Sequence, residues 1–292
     1  MARNVPGRYT VTVPGFGSAS EARLPFVSPV GSADVSCYTP AWSFGAPGAG
    51  TVTVECKTPG GAFTDSRFTL LVLGASGLPG RMAFGSTLGM ATFPGNATFA
   101  WGTGGTVSVT RLSAPPAGRF DFDPKVNIPA NLPRAVLVTG AGGPTPQCVV
   151  PGFGSTIDVY CQVGTVGANA PFNAAMFELG RPARRFASGD NGATSGGSAT
   201  GSSTIGAAIS SSGGTITTAR TSAGVYRMTV QGLARGAGGS ETVLLTTRNL
   251  VGASRCVIVS WQSVAADLEV DVRCYDHTGG LSDTAFHLVV IE

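Results

Sequence analysis

Charge is scarce in this chain. Asp, Glu, Lys and Arg make up 12% of its 292 residues and leave a formal net charge of +3. The densest basic group is only Arg181, Arg184 and Arg185. A nucleic-acid partner calls for a basic stripe with interleaved stacking aromatics, and none is visible. Histidine is equally rare, with His277 and His287 alone, and no Cys-x-x-Cys pair accompanies them, so no metal site or cofactor is expected. No Gly-x-Ser-x-Gly elbow follows a strand and opens a helix. No apolar run approaches the roughly 20 residues a membrane-spanning helix needs. Residues 1–20 show no basic start followed by an apolar stretch, so no signal peptide is visible. Helical periodicity is missing throughout.

Present instead are 43 Gly and 19 Pro, abundant Thr, Ser and Val, and a repeat. Tyr9, Phe68, Phe120, Phe172, Tyr226 and Phe286 each open a short apolar strand, at spacings of 52 to 60 residues. Most are followed by apolar residues at alternate positions, such as Leu70 and Val72 or Leu288 and Val290; Phe172 is followed by Ala174 and Met176. A second strand precedes most openers: Val52 to Cys56, Val107 to Arg111, Ile157 to Cys161, Ile216 to Arg220 and Val270 to Cys274. Their apolar/polar alternation marks strands with one buried face. Units of about fifty residues that recur in this way are supersecondary elements, each too small to bury its own apolar face.

Two unit types alternate, one ending its second strand in Cys and the other in Arg, which doubles the period to roughly 108 residues. The six cysteines fall into three pairs, Cys37 with Cys56, Cys148 with Cys161 and Cys256 with Cys274, separated by 19, 13 and 18 residues. They read as structural disulfides, each contributing on the order of 3 kcal/mol. Such bonds persist in oxidising compartments, so an extracellular, virion or cell-surface location is expected. Export would then follow removal of a signal, or release by another route such as lysis.

The fold expected is all-β and antiparallel. One arrangement is a β-propeller-like ring of about five ~54-residue units, which protects strand edges by radial repetition. The alternative is tandem ~108-residue β-sandwich modules, the first only half present. Residues 1–73, 74–178 and 179–292 are the three repeats. The Gly/Ser-rich stretch from Ser188 to Gly214 is read as a loop-rich unit because Ile205 falls at the repeat's aromatic position.

The combination of Gly118-Arg119-Phe120 or Gly224-Val225-Tyr226 with Cys…Trp, then Val-x-Val-x-Cys…Gly…Asp-x-x-Phe, resembles a repeat of exported actinobacterial and myxobacterial proteins whose activity is uncharacterised. The resemblance implies an extracytoplasmic β-repeat and no catalytic residues. The third unit departs from it, with Phe153 in place of Trp and no Asp before Phe172.

For binding, Trp42, Trp101 and Trp261 are the candidates, since indole platforms stack on sugar faces and are enriched at contact hot spots. Asp267, Glu269 and Asp271 share one strand face, as do Asp121 and Asp123, and both sets read as solvated outer faces. Asp65 and Asp283 read as caps of their own turns. His287, next to Phe286, is expected to face solvent. Asn96-Ala97-Thr98 matches a glycosylation acceptor. The expected function is a non-enzymatic extracellular binding protein that recognises a surface glycan multivalently. The alternative is a structural subunit of a virion, tail fibre or surface layer, whose partners are other copies of itself in a homo-oligomer.

Overall fold

A computed structural model describes residues 1–16, 21–45, 48–75, 81–90, 95–112, 117–126, 128, 134–142, 147–178, 186–191, 202–204, 209–234, 241–248 and 254–291. All regular structure among them is strand, gathered in five sheets. Every ladder is antiparallel except one parallel bridge between Val30 and Ile258. No helix there is long and apolar enough to cross a membrane. Arg181, Arg184, Arg185 and Ile205 lie outside the described residues.

The strands form three lobes, each an outer sheet facing an inner one. In the first, Ala2–Val5, Arg8–Pro14, Ala49–Lys57 and Ser36–Ser43 face the pair Arg23–Val30 and Arg67–Gly74. In the second, Gln147–Phe153, Ile157–Val163, Arg119–Asp123, Ser108–Arg111 and Gly95–Asn96 face the inner sheet of Arg134–Gly140, Phe172–Glu178, Met82–Ser86 and Thr98–Gly102. In the third, Ser202–Thr204, Ile216–Ser222, Val225–Val230, Asp267–Tyr275 and Arg255–Val264 face Thr242–Arg248, Ala285–Ile291, Phe186–Asp190 and Ile209–Ser210. The aromatic openers pair across each core: Tyr9 with Phe68, Phe120 with Phe172 and Tyr226 with Phe286, at 5.3, 5.3 and 5.4 Å between ring centroids. The strands of one ~54-residue unit are thus divided between two facing sheets. The expected ring of blades, in which each unit would be one sheet, is not formed among the described residues, and no sheet closes on itself.

A fourth core lies where the inner sheets meet. It takes Leu24, Phe26 and Leu73 from the first lobe, Phe84, Leu137 and Phe177 from the second, and Phe186, Leu244 and Val289 from the third. Inner strands are therefore apolar on both faces. In Phe172–Glu178, Phe172, Ala174 and Met176 enter the lobe core while Ala175 and Phe177 enter the shared one. Burial on two faces reads as a near-continuous apolar run instead of an alternation.

The joints between lobes follow a cyclic rule. Ser28, Thr139 and Thr246 occupy the same place in their strands, opposite Thr69, Asn173 and His287. Ser28 Oγ accepts from Leu245 N at 2.9 Å, Thr246 Oγ1 from Val138 N at 3.2 Å, and Thr139 Oγ1 donates to Val27 O at 3.4 Å. Each contact reaches the residue before the equivalent Ser or Thr of the next lobe. The opposite strands repeat the rule: Thr69 Oγ1 donates to Val243 O, Asn173 Nδ2 to Pro25 O, and His287 Nε2 lies 3.5 Å from Val136 N. The three lobes thus surround a pseudo-threefold axis. Buried polar groups left unpaired cost about 1–3 kcal/mol each, so this ring fixes how the lobes seat on one another.

The three disulfides form as paired in the sequence, each between residues directly opposite on neighbouring outer strands, with Cα separations of 4.1, 4.1 and 4.0 Å. Gly7, Gly118 and Gly224 stand at one recurring turn with φ of 70°, 83° and 65°. A Cβ there would come within 2.7, 2.4 and 2.5 Å of the carbonyls of Cys56, Cys161 and Cys274. Both the positive φ and the close approach require glycine, which accounts for its place two residues before Tyr9, Phe120 and Tyr226.

Candidate functional site

A groove of about 760 Å³ lies between the first and third lobes, lined by Tyr9, Val30, Ser66, Phe68 and Trp261 among others. Its floor on the first lobe is the start of Arg67–Gly74. This strand pairs with Arg23–Val30 on one side and with no described strand on the other. The equivalent strands of the second and third lobes are flanked there by Met82–Ser86 and Phe186–Asp190. Burial follows: Phe172, Ala174 and Met176 are each 0% exposed and Phe286, Leu288 and Val290 at most 2%. Phe68, Leu70 and Val72, at the same positions, are only partly buried.

One rim of the groove is a carboxylate clamp. Asp65 Oδ1 accepts from Gly7 N, Tyr9 Oη and Arg3 Nε, each at 2.9 Å. Asp283 does the same in the third lobe, accepting from Gly224 N and Tyr226 Oη at 2.9 Å and from Arg220 at 2.7–2.8 Å. Neither caps its own turn, as the sequence suggested; each ties a hairpin 56 to 63 residues away to the start of an inner strand. The donors hold both carboxyls at about 2, below the ordinary carboxylate range, with Gly7 N–H the leading cause for Asp65 and Arg220 for Asp283. Burial, then the hydrogen bond to the carboxylate, pushes the Tyr9 and Tyr226 phenols up. In the second lobe Phe120 and Asn169 stand at the tyrosine and aspartate positions, and the clamp is absent.

The three candidate indoles are dispersed. Trp42 is half-buried against the first-lobe core and the central core. Trp101, also half-buried, packs on the central core beside Phe84, at 6.2 Å between centroids. Trp261 packs on the third-lobe core and also faces the groove. Phe153, at the corresponding place in the second lobe, lies beneath Arg248, at 5.1 Å from the guanidinium carbon, and Arg248 is ion-paired to Asp190 at the end of Phe186–Asp190. Trp261 faces the counterpart of that position, where no strand occurs among the described residues.

Other candidate groups are engaged structurally. Arg227 spans Glu269 at 3.1 Å and Asp271 at 2.8 Å, and Asp267 accepts from Gly232 N. Asp123 pairs with Lys125. No cluster of potential metal ligands occurs among the described residues. His277 is exposed in a turn. His287 does not face solvent: it is 2% exposed, with Ser188 Oγ at 2.9 Å from Nε2 and the Phe153 ring at 5.7 Å. Its strand is covered on both faces, so alternation with Phe286 moves it from one core into another. The Asn96 side chain lies outside the described residues. The groove is not legible in the sequence because Tyr9, Phe68 and Trp261 each have a repeat-wide packing role; they line one groove where no described strand flanks Arg67–Gly74. No family model, no curated protein and no solved structure matches the chain.

Proposed function

We propose that this chain is a non-enzymatic structural subunit working outside the cytoplasm, built of tandem sandwich modules of roughly 108 residues with the first incomplete. The observation that carries this is the cyclic joint. Repeated polar side chains are committed to holding three lobes at fixed angles around an axis, from Ser28 to Leu245, Thr246 to Val138 and Thr139 to Val27. A body of that kind suits a position in a virion, fibre or surface layer, where shape and stapled edges matter more than a reactive centre. Three disulfides support the oxidising location. The test is size: static light scattering and negative-stain imaging across a concentration series should reveal a defined oligomer or fibre. A strictly monomeric particle at the highest concentration would sink the reading.

Glycan binding is the second reading, favoured by the aromatic lining of the groove. Trp42 and Trp101 serve it poorly, because both pack on the central core. A glycan array read alongside Trp261→Ala tests it, since a sugar held in the groove loses its platform in that variant while one held elsewhere does not.

A further inference from the structure

We propose that the first lobe is a strand acceptor. An extended segment from another polypeptide, with the chemistry of residues 81–87, pairs antiparallel with the free edge of Arg67–Gly74 and fills the groove beside Trp261. The proposal rests on the structural-subunit reading and names the contact through which such a subunit would engage its partner.

The molecule supplies the template twice. Met82–Ser86 runs along Phe172–Glu178 with Met82 opposite Phe177, Phe84 opposite Ala175 and Ser86 opposite Asn173. Phe186–Asp190 runs along Ala285–Ile291 in the same register, with Phe186 opposite Ile291 and Asp190 opposite His287. The two donors share a pattern: a large apolar residue, Ala, a variable position, Gly, then Ser or Asp, then Thr or Asn (Met82 to Thr87; Phe186 to Asn191). The last residue has a defined task. Thr87 N donates to Phe172 O at 2.9 Å while Thr87 Oγ1 accepts from Phe172 N at 2.8 Å. Asn191 N donates to Phe286 O at 3.1 Å while its Oδ1 accepts from Phe286 N at 2.6 Å.

Transferred to the first lobe, this register sets the large apolar residue opposite Leu73, the glycine opposite Leu70 and the terminal Thr or Asn at Phe68. That last position is the part of the edge that lines the groove. The small Ala and Gly fit because they turn toward a core already filled by Tyr9, Phe68 and Leu70. The preceding Ser or Asp comes to Trp261, as Asp190 with Arg248 comes to Phe153. A row of strand groups with no partner strand among the described residues, beside partly exposed Phe68, Leu70, Leu71 and Val72, is the arrangement that β-augmentation exploits.

Which groups must pair is also fixed. Glu178 N donates to Arg81 O and Thr87 N to Phe172 O, so the odd-numbered residues of 81–87 bond to the acceptor and the even-numbered ones point away. The experiment uses the full chain carrying Trp42→Phe and Trp101→Phe, so that Trp261 is the sole indole reporter. The probe is a capped peptide of sequence Arg-Met-Ala-Phe-Gly-Ser-Thr. A saturable one-to-one shift of Trp261 emission is expected. N-methylation at the peptide positions matching Ala83 and Gly85 should weaken binding at least tenfold, because two donors are lost. N-methylation at the position matching Phe84 should change it less than about threefold. Fluorescence anisotropy of labelled peptide on the unsubstituted protein gives the same ranking should the Trp variants fail to fold. No binding at millimolar peptide, or equal weakening by both methylations, overturns the proposal. So does a dimer that buries Trp261 and is unmoved by peptide, which would make a second copy the occupant, and so does a glycan that alone shifts Trp261. Peptide capture by a particle that never assembles upholds the acceptor and removes the structural-subunit reading; assembly with no peptide capture does the reverse.

Discussion

The strands opened by Phe68, Phe172 and Phe286 occupy one place in three lobes, yet among the described residues the Phe172 and Phe286 strands are flanked on both edges and the Phe68 strand on one. All three rings meet the same opener aromatic at 5.3–5.4 Å. The contact that recurs in the sequence is therefore constant, and the burial around it is set by a strand far away in the chain. Truncation should separate the two effects. Phe172→Ala and Phe286→Ala each create a cavity in a closed core and should cost about 3–5 kcal/mol. Phe68→Ala, where the environment is partly open, should cost about 1–2 kcal/mol, since less area is lost. Denaturant midpoints of the three variants would measure this; equal costs would mean that the open edge does not loosen the first core.

Thr69, Asn173 and His287 make a second matched set, and only one of them titrates. Burial drives the His287 imidazole down to about 4, with Asp190 opposing and Arg248 adding to the shift. In the unfolded chain the ring takes a proton near 6.5. Between those values the unfolded state binds the proton and the folded state does not. Stability should thus be full above pH 6.5 and fall by about 2–3 kcal/mol on descent to pH 4. His287→Asn imports the second-lobe residue and should flatten that slope in urea titrations at stepped pH. The Asp65 and Asp283 clamps act in a lower window, with stability lost only as pH drops from about 4 toward 2.

Strand positions, cysteine pairing and the alternation of unit types were legible because each is a local pattern of period 2 or a fixed spacing. What lay hidden depends on contacts between residues 56 to 151 apart in the chain. Nothing near His287 in the chain announces Val136 or Ser188, and nothing near Asp65 announces Gly7 and Tyr9. Equally, a repeat of ~54 residues says that strands recur without saying which sheet each joins. Each unit sends some strands to an outer sheet and others to an inner one, so the unit of sequence and the unit of folding differ. Trp42, Trp101 and Trp261 were legible as aromatic positions but not as packing or ligand groups, because both roles require the same apolar surface.

The smallest contrast, and the cleanest, is the clamp. The first and third lobes pair Tyr with Asp, and the second has Phe120 with Asn169 while keeping Arg111 opposite Phe120, as Arg220 stands opposite Tyr226. The aromatic packing is unchanged, so the hydroxyl exists for the carboxylate and not for the core. Asp283→Asn weakens a charge-assisted bond from Arg220, whose side chain is 11% exposed, and should cost about 1–2 kcal/mol. Asp65→Asn should cost less, because the Asp65 and Arg3 side chains are half exposed. The converse is the sharper test. Phe120→Tyr with Asn169→Asp should install the missing bonds, bring Arg111 onto the new carboxylate and raise stability by about 1 kcal/mol. Neither substitution alone should do so: the lone hydroxyl gains no charged acceptor and the lone carboxylate no phenol. A double-mutant cycle with no coupling between positions 120 and 169 would mean that the clamp is only a by-product of the hairpin turn at Gly118.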